Sequence, residues 1–486
     1  MNMKTDTSKP SSTVGRLVKK ALYGSAILGF AMGMQSAVAD SNGFEPFTPF
    51  SRIATLPVVS DGAGGVNHVA TYAKAKAAAL HLADYVARTK DLGEGGDWVL
   101  GGTSTTCRKT QTCDDDEISH AILAIPSPQL IDPTKPPSKT NTKKASVLDF
   151  CNEHYAKQAL GVAPIIGDKK VVNGYSHTPA LPCEVSIWND GHNIYVDMLD
   201  PNAIFTMFFT DVHFSDDMMN DTEFAEAISA LPPKVKAEIK SIVQTAMLDF
   251  DTNAVSMDEQ LGPLYSSMDQ VVAAVAASPE QSPYKHVGYT RNNGGDFDSA
   301  DAAAVAQAII NMMSIHGEKD EDGNDIAGIH PTIIHNHKGS SKEHGSGRTL
   351  DSILSPGSSW RSARPTPLPL PGKNYVIEAC SPKFAKMAMG TGLHHVTALP
   401  CEITVQVIDR TGDGSKETLV VSYLDPHFML GALFADISES DKQKFAEIPG
   451  TIMEDLQVIV EATLYYPNSD YKLSKKVIDI NYDMLP

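Results

Sequence analysis

Two eight-residue stretches decide the interpretation of this chain: HTPALPCE at residues 177–184 and HVTALPCE at residues 395–402. Each is preceded by a second related stretch, CNEHYAKQALG from Cys151 and CSPKFAKMAMG from Cys380. Each is followed by a third stretch that contains Leu-Asp-Pro in both places. Because the blocks recur in the same order, we interpret the chain as carrying one unit twice.

Periodicity within each unit predicts a small mixed domain. Apolar and polar residues alternate at 185–188 and 403–407, as they do in half-buried strands. Asp200 and Asp425 each stand before a proline, as a helix N-cap does, and a helix from about Pro233 to Met247 closes the first unit. We therefore predict an α+β fold, in which two copies of a small, mainly antiparallel sheet with one helical layer pack as a pseudo-dimer.

Proline-rich chain precedes both copies and marks their boundaries. Helical spacing of apolar residues predicts one helix at about 67–89, ahead of the first copy, and another at 300–313, between the copies. The predicted segments are a signal peptide at 1–39, an N-terminal region with a proline-rich linker at 40–145, the first copy at 146–251, an insert with a Gly/Ser/His-rich loop and a proline-rich linker at 252–372, and the second copy at 373–486.

The N-terminus has the pattern of a secretory signal. Basic residues up to Lys20 precede an uncharged stretch, and Ala37-Val38-Ala39 supplies the small residues that signal peptidase requires. We expect cleavage before Asp40 and a periplasmic or extracellular mature protein with no stable membrane span. An uncleaved anchor is disfavoured because the apolar run is shorter than the roughly 20 residues that cross a bilayer.

Composition argues against several classes of protein. The chain is 42% hydrophobic and 20% charged, which argues against wholesale disorder. Its mean hydropathy of −0.17 argues against a multi-span membrane protein. A formal net charge of −19 argues against a nucleic-acid partner.

The six cysteines form the strongest constellation. Export favours oxidation, and in each copy one cysteine tops a predicted helix while the other starts a strand, so a bridge would join the two layers. The functional alternative is a thiolate at a helix N-terminus that exchanges disulfides or binds a metal. The predicted pairs are Cys151 with Cys183, Cys380 with Cys401, and Cys107 with Cys113.

Histidines supply the ligand-binding candidates. His177 and His395 each stand six residues before the second cysteine of their copy, and His394 adjoins the latter. We weigh a metal, haem or acid–base role against a packed structural histidine. Asp211 and Asp436, which also match between the copies, are candidate acids or bases. A weaker candidate set for zinc or copper lies in the glycine/serine-rich loop and comprises His330, His335, His337 and His344.

These motifs resemble the family catalogued as domain of unknown function 302. The resemblance rests on Cys-Asn or Cys-Ser-Pro opening a short helix, on Ala-Leu-Pro-Cys leading into a strand, and on a late Pro-led helix. It implies a compact α+β domain that tends to pair with a second copy, which here lies in the same chain. The resemblance implies no particular activity for this chain, because the family has no established chemistry.

We therefore expect an exported, non-catalytic binding or structural module built from two related domains, with a small ligand or metal between them near His177 and His395. The chain has no GxSxG, HExxH or phosphate-binding motif, so catalysis is not favoured. The alternative is a periplasmic redox or metal- or haem-binding protein that uses the paired cysteines and histidines. The cofactor stays open between a transition metal and non-covalent haem.

Overall fold

The computed structural model describes the chain in thirteen stretches, and Glu45–Pro486 forms one compact unit. The predicted signal at 1–39 and the loop that carries the four clustered histidines lie outside the described residues. The described residues are 44–93, 98–159, 175–181, 183–209, 222–276, 282–291, 295–314, 361–362, 366–368, 374–399, 401–408, 418–464 and 478–479.

The first sheet has seven antiparallel strands. Its spatial order is β2-β4-β5-β6-β1-β7, and β3 also pairs with β4. These strands are β1 (Phe50–Pro57), β2 (Trp98–Leu100), β3 (Leu123–Leu130), β4 (Thr142–Asn152), β5 (Cys183–Asn189), β6 (Asn193–Leu199) and β7 (Val255–Leu261).

The second sheet repeats this arrangement. Its spatial order is β10-β11-β12-β13-β8-β14, and β9 also pairs with β11. The four strands β11, β12, β13 and β8 therefore follow one another as β4, β5, β6 and β1 do in the first sheet. The strands are β8 (Tyr284–Tyr289), β9 (Arg361–Ser362), β10 (Thr366–Leu368), β11 (Asn374–Cys380), β12 (Cys401–Ile408), β13 (Thr418–Leu424) and β14 (Ile478–Asp479).

Helices connect the strands and pack on the sheets. The α-helices are α1 (His68–Arg88), α2 (Thr105–Thr110), α3 (Asp115–His120), α4 (Glu153–Ala159), α5 (Pro201–Met207), α6 (Thr222–Phe250), α7 (Met268–Ala276), α8 (Ser299–Ser314), α9 (Pro382–Met389), α10 (Pro426–Phe428), α11 (Glu439–Phe445) and α12 (Ile448–Leu464). Shorter turns are the 3₁₀ segments Lys139–Asn141, Tyr175–Ala180 and Leu393–Ala398 and the π segment Met429–Leu433. Within the described residues, no helix combines the length and apolar character needed to span a membrane.

The outer faces of the two sheets carry the apolar cores. In the second half, α8 and α12 bury residues such as Ile309 and Leu456 against Ile377 and Val405 of the sheet. In the first half, α6 and α1 contact β1 and β5 in the same way. On the opposite, inner face, the first sheet packs against α9 and the 3₁₀ segment Leu393–Ala398 of the second half.

Local sequence signals predicted most of these elements. Asn67 caps α1, its Oδ1 accepting from the Ala70 N–H at 3.0 Å, and α8 covers the predicted 300–313 helix. The predicted caps are confirmed: Asp200 and Asp425 accept from the second residue of their helices at 2.9 and 2.8 Å. Helix α6 starts at Thr222 instead of Pro233, because the preceding segment is rich in good helix formers.

The unit that folds around each sheet is larger than the repeated blocks suggested. Strand β8 and helix α8 come from the segment 252–372, which the sequence pattern placed in an insert, yet they complete the second sheet and its helical layer. Strand β1 and helix α1 come from the N-terminal region and do the same for the first sheet. Pairing of strands far apart in sequence leaves no local periodicity, so the pattern could not reveal it.

Candidate functional site

Four carboxyl side chains meet where the inner faces of the sheets touch. Asp149 of β4 lies opposite Glu184 of β5 in the first sheet, and Glu378 of β11 lies opposite Glu402 of β12 in the second. Residues directly opposite on antiparallel strands share a face, so each sheet contributes one acidic pair. All four side chains are buried, with 2–4% of each residue exposed. We call these four residues the carboxyl cluster.

The members of the carboxyl cluster lie close to one another. Carboxylate oxygens of Asp149, Glu184 and Glu402 lie within 4.8 Å of one another. A side-chain hydrogen bond joins Asp149 to Glu378. Such a bond needs a proton on one carboxyl group, because two carboxylates are both acceptors. Among the described residues, Asp149 Oδ1 and Glu378 Oε2 are buried without a hydrogen-bond partner.

Burial makes this cluster electrostatically unusual. Loss of water raises the pKa of Asp149, and it raises those of Glu184, Glu378 and Glu402 well above their ordinary values. The neighbouring carboxyl groups raise the last three pKa values further by repulsion. The folded protein therefore holds protons here at a pH where the unfolded chain has lost them. The same oxygens could instead hold a hard cation such as Mg²⁺ or Ca²⁺.

A narrow pocket, with room for about one water molecule, ends on the carboxyl cluster. Its walls are apolar, and Glu184 and Glu402 are its only charged lining residues in the described part of the chain. Ten of the lining residues are five pairs that occupy matching positions in the repeated sequence blocks. The pairs are Ala180 with Ala398, Glu184 with Glu402, Leu199 with Leu424, Ile204 with Met429, and Phe208 with Leu433. We call this the interface pocket.

His177 and His395 lie at the same interface but do not line the pocket. His177 stacks on Phe209 with ring centroids 4.1 Å apart, and its edge faces Tyr284 of the second sheet at 5.9 Å. His395 packs on Phe434 at 4.4 Å and on Phe50 of the first sheet at 6.0 Å. Each histidine therefore contacts its own half and the first strand of the other half.

His395 also takes part in a polar group with His394 and Asp436. Its Nε2 lies 3.1 Å from Asp436 Oδ1, and His394 Nε2 lies 3.4 Å from Asp436 Oδ2. Burial lowers the pKa of His395, although the carboxylate opposes this. Burial acts to raise the pKa of Asp436, but the two imidazoles hold it below its usual range. Asp211, which matches Asp436 in sequence, lies outside the described residues.

The structure forms one of the three predicted disulfides, Cys107–Cys113. Cys151 and Cys183 are free buried thiols, and the hypothesised bridge between them is not present. The strand register explains this, because Cys183 lies opposite Phe150 and Cys151 is offset by one residue, onto the other face of the sheet. Burial raises the pKa of Cys151 to about 12, which keeps its thiol protonated.

The strands that carry the other predicted cysteine pair, Cys380 and Cys401, have the same register. Cys401 lies opposite Ala379, so Cys380 is again offset by one residue along its strand. The side chain of Cys401 lies outside the described part, and a Cys380–Cys401 bridge stays a prediction. Cys380 itself is buried at 4% exposure beside α9.

A second, larger pocket lies entirely within the second half. It is enclosed by α9, the 3₁₀ segment Leu393–Ala398, the π segment and α12, and its lining is mostly apolar. Thr391 and Phe434, which adjoin the His395 group, are among its lining residues. We call this the second-half pocket.

The carboxyl cluster is the feature that the sequence analysis missed. Its signal was present, because each copy carries an acidic residue two positions before its first cysteine and another directly after its second. An acid within an otherwise apolar strand is informative, since charged side chains are rarely buried without a partner. The four acids meet only because the two sheets pack on each other, which no local pattern shows.

One comparison with known proteins gives a match. The family model described as "Domain of unknown function DUF302" matches residues 368–456, a segment that includes Glu378, His395 and Glu402. No curated protein matches, and no solved structure matches. What these comparisons establish is therefore a DUF302 segment in the second half of the chain.

Proposed function

We propose that this protein is an exported, non-catalytic binding module, built from two copies of one domain that pack as a pseudo-dimer and hold a small ligand in the interface pocket. The matching strand order of the two sheets supports the duplication. So does the register, because Phe50 lies opposite Leu199 as Tyr284 lies opposite Leu424. The basic and apolar N-terminal segment supports export.

Reciprocal contacts support a twofold relation between the halves. The Tyr265 hydroxyl of the first half donates to the Ala432 carbonyl of the second at 2.8 Å. The Tyr284 hydroxyl of the second half donates to the Phe208 carbonyl of the first, also at 2.8 Å. Equivalent contacts are made by the histidines, because His177 faces Tyr284 while the matching His395 faces Phe50, which holds the strand position of Tyr284. A twofold axis produces such an exchange.

The observation that carries the binding proposal is the interface pocket with its acidic end. Burying carboxyl groups without basic partners costs free energy, which well-packed apolar side chains would avoid. A small ligand that widens the narrow pocket and presents a donor or cationic group to Glu184 and Glu402 would offset that cost. We therefore propose an amine or another hydrogen-bond donor as the anchoring group of the ligand.

The alternative, a redox or metal role for the cysteines, is less well supported. Cys151 and Cys183 lie on opposite faces of one sheet, where they cannot act on one substrate or bind one metal ion together. Burial raises the pKa values of both thiols, whereas reactive cysteines have lowered ones. The metal alternative retains support only at the histidines.

Native mass spectrometry tests the proposal. The mature protein would be purified from its own host without added ligand, as wild type, as the double variant E184Q/E402Q, and as the control E259Q/E454Q, whose glutamates are solvent-exposed. Glutamine preserves side-chain size and removes the ionisable group. We expect a bound mass on the wild type and the control that denaturation releases and that E184Q/E402Q lacks. A wild type without bound mass, or an unchanged bound mass on a folded E184Q/E402Q, would contradict the proposal.

A further inference from the structure

Three metal-ligating side chains converge outside the interface pocket. His394 and His395 come from the 3₁₀ segment Leu393–Ala398, and Asp436 follows the π segment. The distances from Asp436 oxygens to the two Nε2 atoms are 3.1 and 3.4 Å, and all three ligand atoms lie within 4.8 Å of one another. The His395 side chain has no exposed surface, whereas His394 is 20% and Asp436 29% exposed.

The tautomer of His395 can be assigned from its neighbours. The Thr391 hydroxyl donates to the Ala388 carbonyl at 2.7 Å, so its oxygen is left to accept. His395 Nδ1 lies 3.0 Å from that oxygen, so with this orientation of the hydroxyl it is Nδ1 that carries the ring proton. A metal-bound histidine is usually held in this way, with its other nitrogen donating to a polar neighbour.

This tautomer creates a site for a cation. In the neutral ring, the Nε2 lone pair is directed at the Asp436 carboxylate 3.1 Å away, so two electron-rich atoms face each other. A metal ion bound between these two atoms would satisfy both of them. His394 gives a second observation, because its Nε2 is buried with no hydrogen-bond partner among the described residues.

We propose that His394, His395 and Asp436 bind one first-row transition metal ion, with zinc as the reference case. Zinc takes imidazole and carboxylate ligands at about 2.0–2.2 Å, and tetrahedral geometry then places ligand atoms about 3.3 Å apart. The two measured separations from Asp436 lie on either side of that value. Partial exposure of the carboxylate gives an ion a route from solvent.

The site belongs to the second half alone. Ser176 occupies the position in the first copy that matches His394, so the first half lacks one ligand. We therefore expect one metal ion per chain at this site. The proposal goes beyond the function proposed above, because none of the three ligands lines the interface pocket. Thr391, the positioning residue for His395, also lines the second-half pocket, which places the metal beside that cavity.

Metal titration of the full mature chain tests the assignment. After chelator treatment and dialysis, Zn²⁺ would be titrated by calorimetry, and Co²⁺ would be followed by its visible absorption, which reports four-coordinate geometry. The wild type should take up one equivalent at the site. His394→Ala and Asp436→Asn change partly exposed side chains and should weaken that binding at least about a hundredfold. Thr391→Val should weaken it about 10–100-fold, as loss of a positioning residue does.

The matched control is His427→Ala. His427 also pairs with an aspartate, its Nδ1 lying 2.9 Å from Asp425 Oδ1, but it is not part of the site. The zinc affinity of the His427→Ala variant should equal that of the wild type. A wild type that takes up no zinc would overturn the proposal. So would an unchanged titration of Asp436→Asn or His394→Ala, because the metal would then be bound elsewhere. Neither result would affect the test with E184Q/E402Q.

Discussion

The carboxyl cluster makes the stability of this protein depend on pH in an unusual direction. In the unfolded chain, Glu402 ionises near pH 4.3. In the folded protein its pKa is raised well above that value by burial and by Glu184 and Asp149. Between these two pKa values the folded state holds a proton that the unfolded state lacks. The free energy of unfolding therefore falls as pH rises, by about 1.4 kcal/mol per pH unit for each such group.

The substitution Glu402→Gln removes one group that binds a proton in the folded state and not in the unfolded state. The variant should gain stability relative to the wild type by about 1.4 kcal/mol per pH unit. The difference should grow with each pH unit for as long as the pH lies between the ordinary and the raised pKa of Glu402. Other titrating groups, including His395, are present in both proteins and cancel to first order in the comparison.

Equilibrium urea denaturation of the mature chain at pH 5, 6 and 7, followed by far-UV circular dichroism, measures this difference. Glu454→Gln is the control, because Glu454 is exposed and its substitution should give a difference that does not change with pH. A pH-independent difference for Glu402→Gln would refute the reasoning. So would a variant that becomes progressively less stable than the wild type as pH rises, since Glu402 would then be ionised and stabilised in the folded protein.

Three further substitutions test the interactions that hold the fold together, each by urea denaturation. Tyr265→Phe removes a buried hydrogen bond between the halves and should cost about 1 kcal/mol; no loss would mean that this contact is not formed. Replacing Cys107 and Cys113 together by serine opens a small covalent loop and should cost about 2 kcal/mol, a loss that reductant should reproduce in the wild type. Lys236→Met removes the cationic partner of the buried Asp200, which keeps its hydrogen bonds from Ser51 and Asn202, and should cost about 3 kcal/mol. Lys240→Met, which breaks an exposed pair, should cost less than about 1 kcal/mol, and equal losses would contradict the assigned burial.

Local signals in the sequence were sufficient to predict individual helices and strands. Helix α1 follows from apolar spacing and an asparagine cap, and the starts of α5 and α10 follow from an aspartate before a proline. Strands β5 and β12 follow from alternation after the shared Leu-Pro-Cys-Glu. Each of these features depends on residues within one or two turns of chain, which is the range that periodicity reports.

Features that depend on distant pairing were not accessible in this way. The predicted Cys151–Cys183 disulfide is not formed, because a one-residue offset between β4 and β5 decides which face each thiol occupies. The roles of β1 and β8 were missed because their partners lie far away in the sequence. The carboxyl cluster forms only when the strand register is correct in both sheets and the two halves also pack on each other. Of the predicted site residues, the sequence located His177 and His395 at the interface but could not show that Glu184 and Glu402 form the end of its pocket.

The most direct test of the account is a high-resolution electron-density map of the interface pocket, from protein purified from its own host without added ligand. We predict density in the pocket that the protein does not explain, with a donor or cationic group within hydrogen-bonding distance of Glu184 or Glu402. A pocket filled by the protein's own side chains, with the four carboxyl groups hydrogen-bonded only to one another, would contradict it.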